Sequence, residues 1–232
     1  MVHSHTQIQR ERLLRHNEKL TGHRLLRGAV RPGRTTVLAP PDLALIDDVA
    51  SEVEDIVQIA LGSHMVLDRL AGTSPLPADE ARRIGVLGYV AKASGLAIDA
   101  RRDHPLDASL PMLEPVTEPD GDVLARLMVR AREVRQSIDL LHALATAAPH
   151  ARPASPPAPT RNAGRGLGVV EAWRGTLVHR VEIAGGRVTR CKVVDPSFFN
   201  WPALPVALKD TIVPDFPLTN KSFNQSYAGN DL

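Results

Sequence analysis

DVLARLMVRAREVRQSIDLLHALA, spanning Asp122 to Ala145, decides the fold class. Leu124, Leu127, Ala131, Val134, Ile138, Leu141 and Ala145 recur there at alternating spacings of three and four. Such a repeat lays one apolar seam along a helix, the pattern expected for antiparallel packing in a bundle. Asp120-Gly121-Asp122 opens this helix.

Working outward, residues 103 to 119 hold four prolines and read as a loop. Asp79 to Val90 reads as a shorter helix ended by Ser94-Gly95. A long helix is predicted after Pro40-Pro41, with Asp42 near its start and Leu43, Ile46, Val49, Val53, Ile56 and Ala60 on one face. It runs toward Leu70 unless Gly62 breaks it. Residues 22 to 34, with three glycines and a proline, read as an ordered loop. Residues 6 to 20 read as a helix rich in Arg and Glu, stopped by Thr21-Gly22.

Downstream, the Pro-, Ala-, Arg- and Gly-rich residues 149 to 168 are expected to be a linker or mobile loop. Leu177–Ile183 and Val188–Val194 read as strands joined around Gly185-Gly186, a strong hairpin signal. The proline-rich last 38 residues are expected to be irregular, with one short helix at Pro205–Lys209. The expected class is therefore mainly α (α+β). A helical bundle spans residues 1–148, 149–168 link it onward, and a β-hairpin with an extended tail over 169–232 packs back on the bundle.

Composition narrows the function. The 232 residues, 43% hydrophobic and 23% charged, suit one globular domain with a sizeable core. Aromatics are 3%, so the core is expected to be aliphatic. A net charge of +2 gives no general affinity for polyanions. No aromatics interleave with the Arg10–Arg15 and Arg82-Arg83 runs, so they read as solvated helix faces and not as nucleic-acid contacts. The single cysteine, Cys191, excludes a disulfide within the chain and any site needing two of its own thiolates. No apolar run approaches the ~20 residues that span a bilayer. The first five residues lack a leader's apolar core, and His3 and His5 read as a loose terminus rather than a metal site. Glycines 164, 166 and 168 follow no convincing strand, so no dinucleotide site is read there.

Several segments carry a resemblance. Leu20-Thr21-Gly22-His23-Arg24 with Arg31-Pro32-Gly33 resembles an "SGHR…RPGG" region. Ala93-Ser94-Gly95 with Asp99-Ala100-Arg101-Arg102 resembles "ASG…D-x-R-R/K". The helix from Asp122 to Ser137 resembles "D-x-x-x-R-x-x-V-R-x-x-E-x-x-Q-S". Glu171-Ala172-Trp173-Arg174-Gly175, with Leu177 and His179, resembles "E-A-P-R-G-x-L-x-H", with Trp173 in place of the proline. Asp195 to Trp201 stands where "P-T-x-W-N" is expected. In this order, from about residue 10 to the end, the chain resembles the C-terminal half of two related large subunits. One is that of membrane-bound (formate hydrogenlyase type) nickel–iron hydrogenases. The other is that of NADH-quinone oxidoreductase, the complex I 49 kDa subunit.

The resemblance implies a hydrogenase-large-subunit-like fold and sets expectations about chemistry. The hydrogenases hold nickel and iron with two Cys-x-x-Cys pairs, because soft sulfur suits those metals. The C-terminal pair falls here on Ser226 and Gly229, and the N-terminal pair would lie upstream of residue 1. This chain is thus expected to bind no metal and no cofactor of its own. By the resemblance, it lines a cavity beside an iron–sulfur cluster on a small partner subunit, where complex I receives a quinone. The quinone-contacting His and Tyr belong to the other half of the family's subunit, which a separate polypeptide would supply. His23, Arg24, Asp99, Arg101, Arg174, His179, Asn200, Asn224 and Ser226 are the cavity candidates. Each has a plain structural reading beside it: an ion pair, a loop anchor or a hydrogen-bonded strand histidine. Glu133 with Arg130 and Arg132 reads as a solvated or inter-helix charge set.

Partners are expected to be the iron–sulfur subunit and membrane-arm subunits, with no nucleic acid. The location is expected to be the cytoplasmic face of the membrane, reached through those partners. The competing reading is a truncated, non-catalytic scaffold or remnant of a formate hydrogenlyase large subunit.

Overall fold

The structure, a computed structural model, describes residues 2–31, 34–105, 113–147 and 162–232. Contacts divide the chain into two units, each with its own interior.

The first unit holds the described residues up to 64 and 134–147. Helix α1 (Val2–Thr21) exceeds the predicted span at both ends, and a two-residue ladder of β1 (Val30–Arg31) and β2 (Arg34–Thr35) follows. Helix α2 (Leu43–Leu61) starts where the sequence predicts. The Asp42 carboxylate accepts a hydrogen bond from Leu45 N at 3.1 Å, satisfying one of the free amides of the first turn. Gly62 ends α2, so α3 (His64–Leu70) is a separate helix. Ile46 and Ala50 of α2 bury against Ile138, with Leu43 and Val134 packed alongside. The distal part of the predicted seam does form an interface.

The second unit spans residues 65–133 and 161–232. The single predicted helix over Asp79–Val90 is two helices, α4 (Ala78–Ile84) and α5 (Gly88–Ala93). Gly85 stops α4 at φ +80°, a left-handed cap that glycine adopts without strain. After α6 (Ala100–Asp103) comes α7 (Val123–Ala147). In its first turns the deeply buried residues are Val123, Ala125, Arg126 and Val129, while Leu124 and Leu127 of the seam are only half-buried. The interior is largely aliphatic, but Tyr89 and Phe223 sit fully within it, against the expectation from composition.

Residues 163–168 are not linker, and the predicted hairpin is a three-stranded antiparallel sheet. β3 (Ala163–Ala172), β4 (Gly175–Ala184) and β5 (Arg187–Val194) pair in sequence order. Residues 149–161 of the expected linker lie outside the described residues. Register and pleat put Arg165, Leu167 and Val169 on one face with Val178, Arg180, Glu182, Arg187, Arg190 and Lys192. The opposite face shows Leu177, His179, Val181, Ile183, Val188, Cys191 and Val193, with no acid, Lys or Arg.

The tail is not irregular. It folds as α8 (Pro196–Asn200), α9 (Ala203–Ala207), a 3₁₀ turn (Val213–Asp215), α10 (Phe216–Phe223) and α11 (Tyr227–Asn230). The mainly α class with a C-terminal antiparallel sheet stands.

Candidate functional site

Two polar clusters of the second unit flank the turn between β3 and β4. The first is ionic and buried. Lys92 Nζ lies 2.7 Å from Asp99 Oδ2 and from Glu133 Oε1, and 3.8 Å from Glu171 Oε1. Arg101 grips Asp99 with two donors, Nε at 2.9 Å and Nη2 at 2.7 Å. Asp99 also caps α6 by accepting from Arg101 N. Lys92 and Asp99 are 2% and 0% exposed, so the pair is shielded from bulk solvent. Burial alone would raise the Asp99 pKa, but hydrogen bonds from Arg101 and Lys92 outweigh it and hold it at about 2. Burial pulls the Lys92 pKa down, yet Glu133 and Asp99 raise it beyond the usual lysine value. Glu171 moves the other way. Burial raises its pKa, and Asp99 adds repulsion, against hydrogen bonds from Ala100 N at 3.0 Å and Thr176 Oγ1 at 3.1 Å.

The second cluster surrounds the end of α10. Arg174 Nε donates to Asn224 O at 2.7 Å, and its guanidinium lies 3.9 Å from the centre of the Trp173 ring. Trp173 in turn stacks on Tyr89 at 6.2 Å between centroids. The Tyr89 hydroxyl donates to Phe223 O, and burial pushes its pKa up to about 12. Gly88 and Gly175 cross here. A Cβ on Gly88 would lie 2.1 Å from Arg174 O, and one on Gly175 would lie 2.7 Å from Gly88 N. Their bare backbones let the Arg174 turn seat against α5. Asn200, fully buried, clasps the neighbouring residue: its Oδ1 accepts from Leu87 N at 2.8 Å and its Nδ2 donates to Leu87 O at 3.2 Å.

Ser226 caps α11, its Oγ accepting from Gly229 N at 2.9 Å, while its own N donates to Ser197 Oγ at 3.0 Å. A Cβ on Gly229 would lie 2.6 Å from Asp195 Cγ. The position therefore has no room for a thiol unless Asp195 moves. One hydroxyl engaged as a cap and one side chain excluded do not make a soft-metal site. Among the described residues, no group of three or more His, Cys, Asp or Glu is arranged to hold a metal ion.

Of the sequence candidates, the structure joins Asp99 to Arg101 and Arg174 to Asn224, and sets Asn200 and Ser226 in the frame around them. His179 is exposed on β4. His23 and Arg24 belong to the first unit. There Arg24 holds Glu11 through two hydrogen bonds, at 2.6 and 3.2 Å, and the His23 ring accepts from Leu25 N. Sequence reasoning missed Lys92 and Glu171; of its two readings of Glu133, solvated or inter-helix, the structure shows the inter-helix one, from α7 to Lys92 on α5. A lysine just before Ala93-Ser94-Gly95 was the available signal.

Residues 2–160 match the family model described as "Respiratory-chain NADH dehydrogenase, 49 Kd subunit". The chain belongs to that family. Similar curated proteins of this 49 kDa subunit family and its kin include the carbon monoxide-induced hydrogenase of Rhodospirillum rubrum. It is 30% identical, over 74% of this chain and 48% of that one. An NADH-quinone oxidoreductase subunit of Wolbachia pipientis is 27% identical, over 89% and 62%. Formate hydrogenlyase subunit 5 of Escherichia coli is 29% identical, over 81% and 33%. The chain thus spans from about a third to three-fifths of the length of these relatives. A solved chain from the membrane-bound sulfane sulfur reductase, an archaeal respiratory membrane complex, shares the fold. Its TM-score is 0.84 at 24% identity, covering 97% of this chain and 65% of that one.

Proposed function

We propose that this 49 kDa subunit family chain works inside a membrane-bound electron-transfer complex of the hydrogenase and complex I kind. It walls a metal-free cavity next to an iron–sulfur small subunit, and that cavity admits a quinone. The observation that supports the reading is the Ser226–Gly229 turn, where a helix cap and the Asp195 carboxylate fill the place at which the sequence resemblance puts thiolate ligands.

The chain's own contribution is position and charge. Cavity candidates Arg174, Asn200, Asn224 and Ser226 form the frame at the end of α10, and Arg174 presents a fixed cation stacked on Trp173. Asp99 and Arg101 anchor the ionic cluster behind β3. His179, His23 and Arg24 remain candidates for contacts with the rest of the assembly. The iron–sulfur cluster and membrane-arm subunits are partners, and a second polypeptide supplies the quinone-contacting half. Attachment is peripheral, on the cytoplasmic face, through those partners. No helix among the described residues is long and apolar enough to cross a membrane.

The test is purification of the tagged chain from its own host under mild detergent, followed by metal analysis and electron paramagnetic resonance. A stoichiometric cluster-bearing small subunit, a reducible iron–sulfur signal sensitive to added quinone, and no nickel are expected. Nickel in proportion to the chain would overturn the metal-free reading. A lone monomer without any cluster protein would favour the non-catalytic remnant.

A further inference from the structure

The sheet of β3, β4 and β5 is largely exposed on both faces, and its faces differ in charge. Arg165, Arg180, Arg187, Arg190 and Lys192 share one face, with the half-buried Glu182 among them. Glu182 pairs with Arg180 at 2.7 Å. Arg165, Arg187 and Arg190 have no carboxylate partner among the described residues. In register, Arg180 stands directly opposite Lys192, but Arg180 pairs with Glu182 and Lys192 donates to Leu232 O, so the surplus of positive charge on this face rests on Arg165, Arg187 and Arg190. Arg165, Arg187 and Arg190 are all exposed, so their positive charge is open to an anion from outside.

The neighbouring chemistry selects the anion. The arginine face carries no Phe, Trp, Tyr or His, so no platform exists there for stacking bases or for seating in a lipid interface. Glu182, set between Arg165 and Arg190 in register, repels a run of phosphates. Leu167 stands 67% exposed beside the arginines. Arginine around an apolar centre is the composition of a protein contact. We infer that this face docks an acidic surface of a partner polypeptide, whose carboxylates pair with Arg165, Arg187 and Arg190 while Leu167 closes the centre.

This surface goes beyond the cavity reading, and one sample tests both separately. A photo-cross-linking amino acid is placed at Leu167 in the full chain, in its own host, and the cross-linked peptide is sequenced. The expected adduct is a segment of another polypeptide in which Asp and Glu outnumber Lys and Arg. The double change Arg165→Glu/Arg190→Glu lowers adduct yield by at least about fivefold, through lost charge complementarity. Arg165→Gln/Arg190→Gln gives a smaller fall and guards against misfolding of the reversed form. An adduct to lipid or nucleic acid, a segment without excess acid, no adduct, or a yield indifferent to both double changes overturns the inference. A cluster signal without the adduct sinks this inference alone. An adduct without any cluster protein sinks the cavity reading alone.

Discussion

Asp195 and Gly229 exclude one another's side chains: a Cβ on residue 229 would meet the Asp195 carboxylate oxygens at 2.8 Å. That carboxylate is not free to leave, because it accepts from Ser197 N at 2.8 Å and caps α8. Gly229→Ala is therefore expected to cost about 1–3 kcal/mol, the usual range for overpacking. Asp195→Ala loses a cap, worth about 1 kcal/mol. The double variant should cost clearly less than the two singles together, since residues in contact do not add. Urea unfolding of the four proteins decides it, and strict additivity would show that the two positions do not touch.

Lys92 is the only cation set among Asp99, Glu133 and Glu171 in the described interior, Arg101 approaching Asp99 from the half-exposed side. Lys92→Met removes it, leaving Asp99 with Arg101 alone and the buried Glu171 without its nearest cation. A loss of about 3–5 kcal/mol is expected, the scale for breaking one side of a buried pair. Calorimetry measures it, and a loss below about 1 kcal/mol, the scale of surface pairs, would mean that water reaches the cluster.

The same cluster sets an acid dependence. Asp99 titrates near 2 in the fold against 3.8 unperturbed, so its contribution is complete above about pH 4 and fades as pH falls toward about 2. Glu171 is shifted upward, so the cost of its buried charge is absent in acid and grows as pH rises past its ordinary value. Melting temperatures of three proteins across this range test both signs. The deficit of Asp99→Asn should shrink as pH drops from about 5 to about 2. Glu171→Gln should gain on the parent chain as pH rises from about 4 to about 7. Parallel curves would refute the assigned directions.

Arg126 is 1% exposed and reaches three oxygens, Ser222 Oγ at 2.9 Å, Gly121 O at 2.6 Å and Ser74 O at 3.0 Å, with its guanidinium 4.5 Å from the Phe223 ring centre. Arg126→Met strands Ser74 O, while Gly121 O still accepts from Leu76 N and Ser222 Oγ still donates to Thr219 O, so a loss of about 1–3 kcal/mol is expected for the one acceptor left without a partner. Arg126→Lys should recover little, because an ammonium lacks the planar fork. Hydrogen exchange at α10 would show the loss first, and unchanged protection in both variants would remove Arg126 from the interior bracing.

The sequence shows α2 and the outer part of α7 because each buries one stripe at a regular spacing, and it shows the β4–β5 turn because Gly185-Gly186 has few other uses. It hides β3, whose three glycines and proline-rich approach read as a linker. It hides the tail helices for a related reason. Pro196 and Pro217 look like breakers, yet both sit in the first turn of a helix, where a missing amide proton costs nothing. Asp99 and Arg101 are legible as a pair because they lie two residues apart. Lys92 and Glu171 are not, since the cluster draws its members from α5, α6, α7 and β3, and only folding reveals that they converge.

Cys191 lies exposed on the uncharged face of the sheet, and it is the sole thiol in the chain. Nature has therefore installed a labelling handle. A maleimide dye or nitroxide attached there reports on whatever covers that face, with no engineered background to remove. Preparations kept without reductant will, for the same reason, accumulate covalent dimers joined through this sulfur.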